Sequence, residues 1–141
     1  MDDVHFKPRI PDGEYIVEFS RYYTAEMFRE RTPKVCLVFS IVEGDYAGFQ
    51  LERYYSADRL IGPPSQDGNF KAKSQTCLLL MEYCTCFPDQ GITRLDRIPM
   101  SRWKEERFLV RTCSTKSNHR GREIPMQLRS SKIEEIIKRI E

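Results

Sequence analysis

The most constraining feature of this sequence is a pair of β-type segments joined by a glycine-containing turn. Lys34–Val42 reads Lys-Val-Cys-Leu-Val-Phe-Ser-Ile-Val, and the β-branched and aromatic residues that fill it favour a central strand. Phe49–Tyr55 resumes with a period of two, which is typical of a half-buried strand. Glu43–Gly48 lies between them and contains two glycines suited to a turn or a bulge. The sequence therefore predicts a β-hairpin.

Further strands are predicted on both sides of this hairpin. Glu14–Ser20 alternates apolar and polar residues after a Pro-Asp-Gly turn signal, which predicts a half-buried first strand. Arg107–Thr115 alternates in the same way, and Arg122–Leu128 is predicted to be the last strand. The polar segment Arg21–Pro33 is predicted to be the loop after the first strand, and the Gly- and Pro-containing residues 58–72 a long surface loop. The chain is thus predicted to be mainly β.

Two helices are predicted from a different period. Within Ser74–Phe87 four side chains recur at i, i+3, i+4 and i+7, which is the spacing of one helix face, and Pro88 ends the segment. The residues predicted to be buried on this face are Cys77, Leu80, Met81 and Cys84. A capping-box pattern at Ser131–Glu134 predicts the start of a short C-terminal helix. Its predicted apolar face is formed by Ile133, Ile136, Ile137 and Ile140.

The order of these elements is three strands, one helix, two strands and a terminal helix. A βαβα alternation, which would indicate a parallel sheet, is absent. Five strands with one helix after the third is the order of the OB-fold, a five-stranded, partly open Greek-key barrel. In this order, and in Pro11-Asp12-Gly13-Glu14-Tyr15 and Glu43-Gly44-Asp45-Tyr46-Ala47-Gly48, the chain resembles the small OB-fold single-stranded-DNA-binding-type proteins of phages and mobile elements.

This resemblance extends over about residues 11–129. It implies a mainly β, OB-like five-stranded Greek-key barrel with one helix between strands 3 and 4. The short C-terminal helix, residues 130–141, is appended to the barrel. A chain of 141 residues is predicted to form a single domain, residues 1–141.

The charge of the chain is unevenly distributed. The net charge is only +2, yet residues 94–122 contain nine basic and three acidic side chains. The basic ones are Arg94, Arg97, Arg102, Lys104, Arg107, Arg111, Lys116, Arg120 and Arg122. Such an asymmetry is expected where part of a surface meets an anion, although an ordinary solvated face has the same composition.

The candidate nucleic-acid-binding residues follow from where OB-folds bind oligonucleotides, which is the face of strands 2 and 3 and the loops between strands 1–2 and 4–5. Binding of a single strand needs cations for the backbone and flat rings for the bases. The residues that supply both here are Arg21, Tyr22, Tyr23, Arg31, Arg53, Tyr54, Lys116, His119, Arg120 and Arg122. Tyrosines near strand ends also cover cores with their rings, so both roles stay open.

Other functional classes have less support in the sequence. The nucleophile-elbow, phosphate-loop and His-Glu-x-x-His motifs are absent, and neither His5 nor His119 lies in a catalytic motif. Cys84 and Cys86 form a CxC pair without a second pair at zinc-ligand spacing. No catalytic residue, metal site or cofactor is therefore predicted. Trp103 is predicted either to close one end of the barrel or, if exposed, to mark a protein-binding surface.

The cellular setting is also predicted. Five cysteines, an odd number, without an export signal indicate reduced thiols in a cytoplasmic compartment. No apolar run approaches the ~18 residues of a membrane span. The sequence therefore predicts a non-enzymatic, weakly sequence-specific protein that binds single-stranded nucleic acid. The alternative is a protein-interaction module, an inhibitor or adaptor from a phage or mobile element, that uses the same basic and aromatic surface.

Overall fold

The computed structural model describes residues 10–27, 32–71, 77–91, 98–114 and 131–140. The strands in these ranges are β1 (Glu14–Met27), β2 (Thr32–Ile41), β3 (Gln50–Ser56), β4 (Arg59–Ile61), β5 (Asn69–Lys71), β6 (Arg107–Ser114) and β7 (Ser131–Ile140). One α-helix, α1 (Leu78–Cys86), lies between β5 and β6 in the chain. It is followed by two short 3-10 helices, Pro88–Gln90 and Met100–Glu105.

Five strands form one antiparallel sheet in the order β3-β2-β1-β6-β7. The long strand β1 holds the sheet together, because it pairs with β2 along most of its length and with β6 near its start. The mainly β prediction is confirmed. The two edge strands, β3 and β7, run in the same direction and approach each other to within 8 Å between Cα atoms. No ladder joins them in the described residues, so the sheet is not closed.

The C-terminal segment is a strand, and the predicted helix over residues 130–141 is wrong. Ile133 and Glu135 pair with consecutive residues of β6, so Glu134 is the extra residue of a β-bulge. Because of this bulge the buried isoleucines, Ile133 and Ile136, lie three residues apart, a spacing that also suits a helix. Isoleucine is β-branched and packs well on a sheet, and its burial beside β6 outweighs the capping-box signal. The predicted strand Arg122–Leu128 lies outside the described residues.

Strand β1 is longer than predicted and contains the first seven residues of the segment that the sequence assigned to the first loop, among them Arg21, Tyr22 and Tyr23. Phe19 and the residue two positions later pair with consecutive residues of β2. Ser20 is therefore the extra residue of a second β-bulge. The polar–apolar alternation shifts by one residue at this bulge, which is why the pattern stops at Ser20 although the strand continues to Met27. Only residues 28–31 separate β1 from β2.

Helix α1 confirms the position of the predicted helix but not its buried face. The buried residues of α1 are Leu79, Leu80, Glu82, Tyr83 and Cys86. Of the four predicted, only Leu80 is buried; Met81 is 56% exposed, and Cys77 and Cys84 are half-buried. Because nearly every residue of α1 is apolar, periodicity has no contrast from which to select a face. Contacts with the rest of the protein determine the buried face instead. Tyr83 packs edge-on against Trp103, and Glu82 forms an ion pair with Arg53 of β3.

Residues 58–72, predicted as a loop, contain a small antiparallel hairpin formed by β4 and β5. Gln66, between these strands, forms an isolated bridge with Tyr23 of β1. The hairpin is therefore held against the long strand of the sheet. Gly68, directly before β5, lies close to β1. A Cβ atom at this position would lie 2.4 Å from Oγ1 of Thr24, so only glycine fits there.

The core contains an aromatic cluster centred on Trp103, which is fully buried. Its indole ring lies 5.2 Å from the ring of Phe108, 5.3 Å from Tyr83 and 5.8 Å from Phe87, measured between centroids. These contacts join a 3-10 helix, β6 and α1. The tryptophan therefore closes the core, and it does not mark a protein-binding surface.

Two neighbouring apolar residues of α1 provide a matched test of this packing. Leu80→Ala is expected to lower the free energy of unfolding by about 2–5 kcal/mol, because Leu80 is buried. Met81→Ala is expected to change it by no more than about 0.5 kcal/mol, because Met81 is exposed. Urea unfolding followed by circular dichroism measures both. Equal midpoints for wild type and Leu80→Ala would show that α1 does not pack as described.

Candidate nucleic-acid interface

Strands β1, β2 and β3 present a polar and aromatic face on the side opposite the core. Val35, Leu37 and Phe39 belong to the core, so the alternate residues of β2 point the other way. Their ladder partners on β1 and β3 share that direction. We call this surface the outer face, and its residues are Glu18, Arg21, Tyr23, Ala25, Lys34, Cys36, Val38, Ser40, Gln50, Glu52, Tyr54 and Ser56.

A cross-strand row of Tyr23, Cys36 and Tyr54 forms the middle of the outer face. Cys36 pairs with both tyrosines in the ladder, and its side chain is completely buried although it points away from the core. The Tyr23 hydroxyl donates a hydrogen bond to Oε2 of Glu52 at 2.7 Å, and Sγ of Cys36 lies 3.5 Å from the same oxygen. The Glu52 carboxylate therefore contacts both Tyr23 and Cys36 and holds these side chains in place.

Burial keeps the groups of this row neutral. It is the main cause of the raised pKa of Tyr23 and of Tyr54, and hydrogen bonds to Glu52 add to both shifts. Burial also raises the pKa of the Cys36 thiol to about 12. Phenols are uncharged at neutral pH even at their ordinary pKa, and the raised pKa keeps the Cys36 thiol unreactive, so the row suits stacking and not nucleophilic chemistry.

Two cations flank the rings. Arg21 is exposed, and its guanidinium carbon lies 5.3 Å from the centroid of the Tyr23 ring. One of its amino groups is 3.4 Å from Oε1 of Gln66. Lys34, on the other side of the row, donates a hydrogen bond to Oγ of Ser56 at 2.8 Å. The outer face thus combines aromatic rings and positive charge within three adjacent strands.

An open groove of ≈ 470 Å³ crosses one end of the outer face. Its lining residues are Arg21, Val38, Gly48, Phe49, Gln50, Glu52 and Ser131. Ser131 is the first residue of β7, and residues 115–130 precede it in the sequence. That segment carries the predicted contacts Lys116, His119, Arg120 and Arg122, which lie outside the described residues, as does Arg31.

Tyr22 does not lie on the outer face. It points to the core side of β1, where its ring lies 6.5 Å from that of Phe70. It lines a second groove of ≈ 400 Å³ formed with residues of the β4–β5 hairpin and Met100. Tyr22 and Tyr23 are adjacent in sequence, but the strand separates them onto opposite faces.

Arg53 is buried, and its charge is satisfied inside the protein. Its Nε lies 3.1 Å from Oε1 of Glu82 and its Nη2 2.8 Å from Oε2, so the pair is bidentate. The Tyr55 hydroxyl donates a third hydrogen bond to Glu82, at 2.5 Å. The alternation along β3 could have predicted that Arg53 is buried, because Arg53 points to the same side of the strand as the buried Leu51 and Tyr55. Arg53 therefore links β3 to α1 and is not placed to contact a ligand.

The described part of the basic segment 94–122 is largely neutralised by neighbouring carboxylates. Arg102 lies 3.4 Å from carboxylate oxygens of both Glu105 and Glu106. Arg107 contacts Glu18 at 3.0 Å, and Arg111 contacts Glu135 at 2.8 Å. Arg94 and Arg97 lie outside the described residues. The positive charge that the sequence places in this segment is thus partly used in surface ion pairs.

Sites of other kinds are not found in the described ranges. These ranges contain no group of three or more His, Cys, Asp or Glu side chains arranged to hold a metal ion. None of the helices described has the length and apolar character needed to cross a lipid bilayer. Burial raises the pKa of Cys86 to about 12, and the nearby carboxylate of Glu82 adds to the shift. The CxC pair thus includes a thiol that stays protonated.

Comparison with known proteins gave no match: no protein-family model, no curated protein and no solved structure is significantly similar to this chain.

Proposed function

We propose that this chain is an OB-type barrel that binds single-stranded nucleic acid, with weak sequence preference, on the outer face of β1–β3. The observation that carries the proposal is the row of Tyr23, Cys36 and Tyr54, which sets two neutral rings on one face between Arg21 and Lys34. Rings for base stacking beside cations for the backbone are what non-specific single-strand binding requires.

The strand order supports the barrel. In a Greek key the fourth strand returns to lie beside the first, and here β6 lies beside β1. Helix α1 falls between the third and fourth strands of the large sheet, as in the OB-fold order predicted from the sequence. The parallel approach of β3 and β7 brings together the two edges that a barrel would join.

The position of the outer face supports the ligand. OB-folds bind oligonucleotides on the face of strands 2 and 3 and with the loop between strands 4 and 5. The corresponding segment here, residues 115–130, leads into Ser131 at the groove. That segment contains Lys116, Arg120 and Arg122, whereas the arginines of β6 are held by Glu18 and Glu135.

Fluorescence anisotropy of a labelled oligo(dT) across a salt series tests the proposal. We expect saturable binding at low salt that weakens as salt rises, with a log–log slope of about −0.7 for each phosphate neutralised. Duplex DNA of equal length should bind more weakly, because its bases are not free to stack on Tyr23 and Tyr54. The absence of saturable binding at low salt, or tighter binding to the duplex, would contradict the proposal.

Charge and stacking are separable by mutation. Tyr23→Ala is expected to weaken binding by about 1–3 kcal/mol and leave the salt slope unchanged, because a ring contributes stacking and no charge. Arg120→Ala with Arg122→Ala is expected to flatten the slope, because fewer counterions are released. Tyr22→Ala is the matched control: it removes the adjacent ring from the opposite face and should leave affinity intact in the folded protein.

These measurements also distinguish the alternative, a protein-interaction module. Such a module would bind neither oligonucleotide saturably, and its basic residues would instead govern the rate of association with a protein partner. A loss of affinity in Tyr22→Ala equal to that in Tyr23→Ala would show that the outer face is not the binding surface.

A further inference from the structure

A carboxylate lies inside the groove of the outer face. Glu52 is half-buried there and accepts a hydrogen bond from Tyr23, with Cys36 beside it, and these contacts fix its orientation. Arg21, which lines the same groove, is exposed. The groove therefore has a cation at its more exposed side and an anion in its more buried part.

This arrangement determines which part of a nucleotide can enter. A phosphate would be repelled by Glu52 and attracted by Arg21, so the backbone should follow the exposed side. The base would then face the carboxylate, with the ring of Phe49 and the amide of Gln50 also in the lining. The volume of ≈ 470 Å³ lies within the ~300–1,000 Å³ range of small-molecule sites.

A carboxylate reads a base edge by accepting hydrogen bonds. An ionised carboxylate has about four acceptor positions, so Glu52 can accept from a base in addition to its contacts with Tyr23, Cys36 and Tyr54. Glu and Asp accept from the exocyclic amino group of cytosine, whereas thymine presents a carbonyl oxygen at that position. The one ring donor of thymine, N3–H, lies between two carbonyl oxygens that repel a carboxylate, so thymine is the poorer partner for Glu52.

We infer that the groove holds one base of the bound strand and that Glu52 gives it a preference for cytosine, through the 4-amino group, over thymine. The inference rests on the proposed function and adds to it the class of base recognised. One such contact is a modest bias within otherwise sequence-tolerant binding, of about fivefold in Kd per occupied site.

The experiment compares oligo(dC) with oligo(dT) of equal length by fluorescence anisotropy at pH 8 and fixed salt, where neither oligomer folds. Oligo(dC) is expected to bind about fivefold more tightly to the wild-type protein. Glu52→Gln should bring the two affinities together, because an amide can donate to the thymine carbonyl. Glu14→Gln is the matched control: it removes the same charge from an exposed residue of β1 outside the groove lining and should keep the preference.

A ligand variant makes the test independent of protein folding. An oligomer of 2-pyrimidinone deoxynucleotides lacks the 4-amino group, and the wild-type protein should bind it no better than oligo(dT). Equal, saturable binding of oligo(dC) and oligo(dT) would overturn the inference and leave the proposed function standing. A cytosine preference that remains in Glu52→Gln would also overturn it. So would binding of the 2-pyrimidinone oligomer to the wild-type protein as tightly as oligo(dC). Binding to none of the oligomers would overturn both.

Discussion

Glu82→Ala is expected to lower the free energy of unfolding by about 3–5 kcal/mol, because it leaves the Arg53 guanidinium buried without its counter-ion. Glu82 is 6% exposed and Arg53 8% exposed, so water cannot replace the lost carboxylate without opening the contact between α1 and β3. The Tyr55 hydroxyl would lose its acceptor as well. A loss of this size is a large part of the ~5–15 kcal/mol that stabilises a typical domain.

A double substitution distinguishes the cost of an unpaired charge from that of lost packing. Arg53→Met combined with Glu82→Leu removes both charges and keeps apolar volume, and it is expected to be markedly more stable than Glu82→Ala alone. Thr85→Ala, an exposed change on the same helix, should alter stability by no more than about 0.5 kcal/mol. Chemical unfolding of the four proteins measures these differences. A loss below about 1 kcal/mol for Glu82→Ala would contradict the buried pair.

Trp103→Ala is expected to cost about 3–5 kcal/mol, the range for truncating a large buried aromatic residue. Its ring is fully buried among Phe108, Tyr83 and Phe87, so alanine leaves a cavity where a 3-10 helix, β6 and α1 meet. Because Trp103 is the one tryptophan of the chain, unfolding of this variant must be followed by circular dichroism.

Trp103→Phe is the control for this position. It keeps a ring in the cluster and removes the indole N–H, which has no hydrogen-bond partner among the described residues. Since an unsatisfied buried donor costs about 1–3 kcal/mol, its removal should offset part of the lost packing, and the variant should be clearly more stable than Trp103→Ala. Wild-type tryptophan emission typical of an exposed indole, or equal stability of the two variants, would show that the cluster is not formed.

Sequence periodicity identified β2, β3, β6 and the first half of β1, but it missed β4 and β5 and failed where a bulge inserts one residue. Ser20 and Glu134 each shift the side-chain alternation. At Ser20 the shift made the second half of β1 resemble a loop, and at Glu134 it made β7 resemble a helix. Bulges depend on pairing with a neighbouring strand, which lies far away in sequence. Local pattern therefore cannot reveal them, whereas it did locate β2 and β3, whose mutual pairing is regular.

The candidate site could be predicted only in part, because local sequence does not show which residues contact one another across the fold. Arg21, Tyr23 and Tyr54 were predicted as contacts from residue type, and all three lie on the outer face. Glu52 was missed, although its spacing of two from Tyr54 on a predicted strand indicated a shared face. Arg53 was assigned to the ligand because of its charge, and only the contact with α1 reveals its buried partner.

The most direct measurement of the central claim is a titration of isotope-labelled protein with oligo(dT), followed by backbone amide chemical shifts in NMR. The account predicts that the largest changes fall on the outer face, at Arg21, Tyr23, Gln50 and Tyr54, and that the amides of α1 change little. Largest changes on α1, around the exposed Leu78 and Met81, would contradict it. The absence of any chemical-shift change when oligo(dT) is added in excess would contradict it as well.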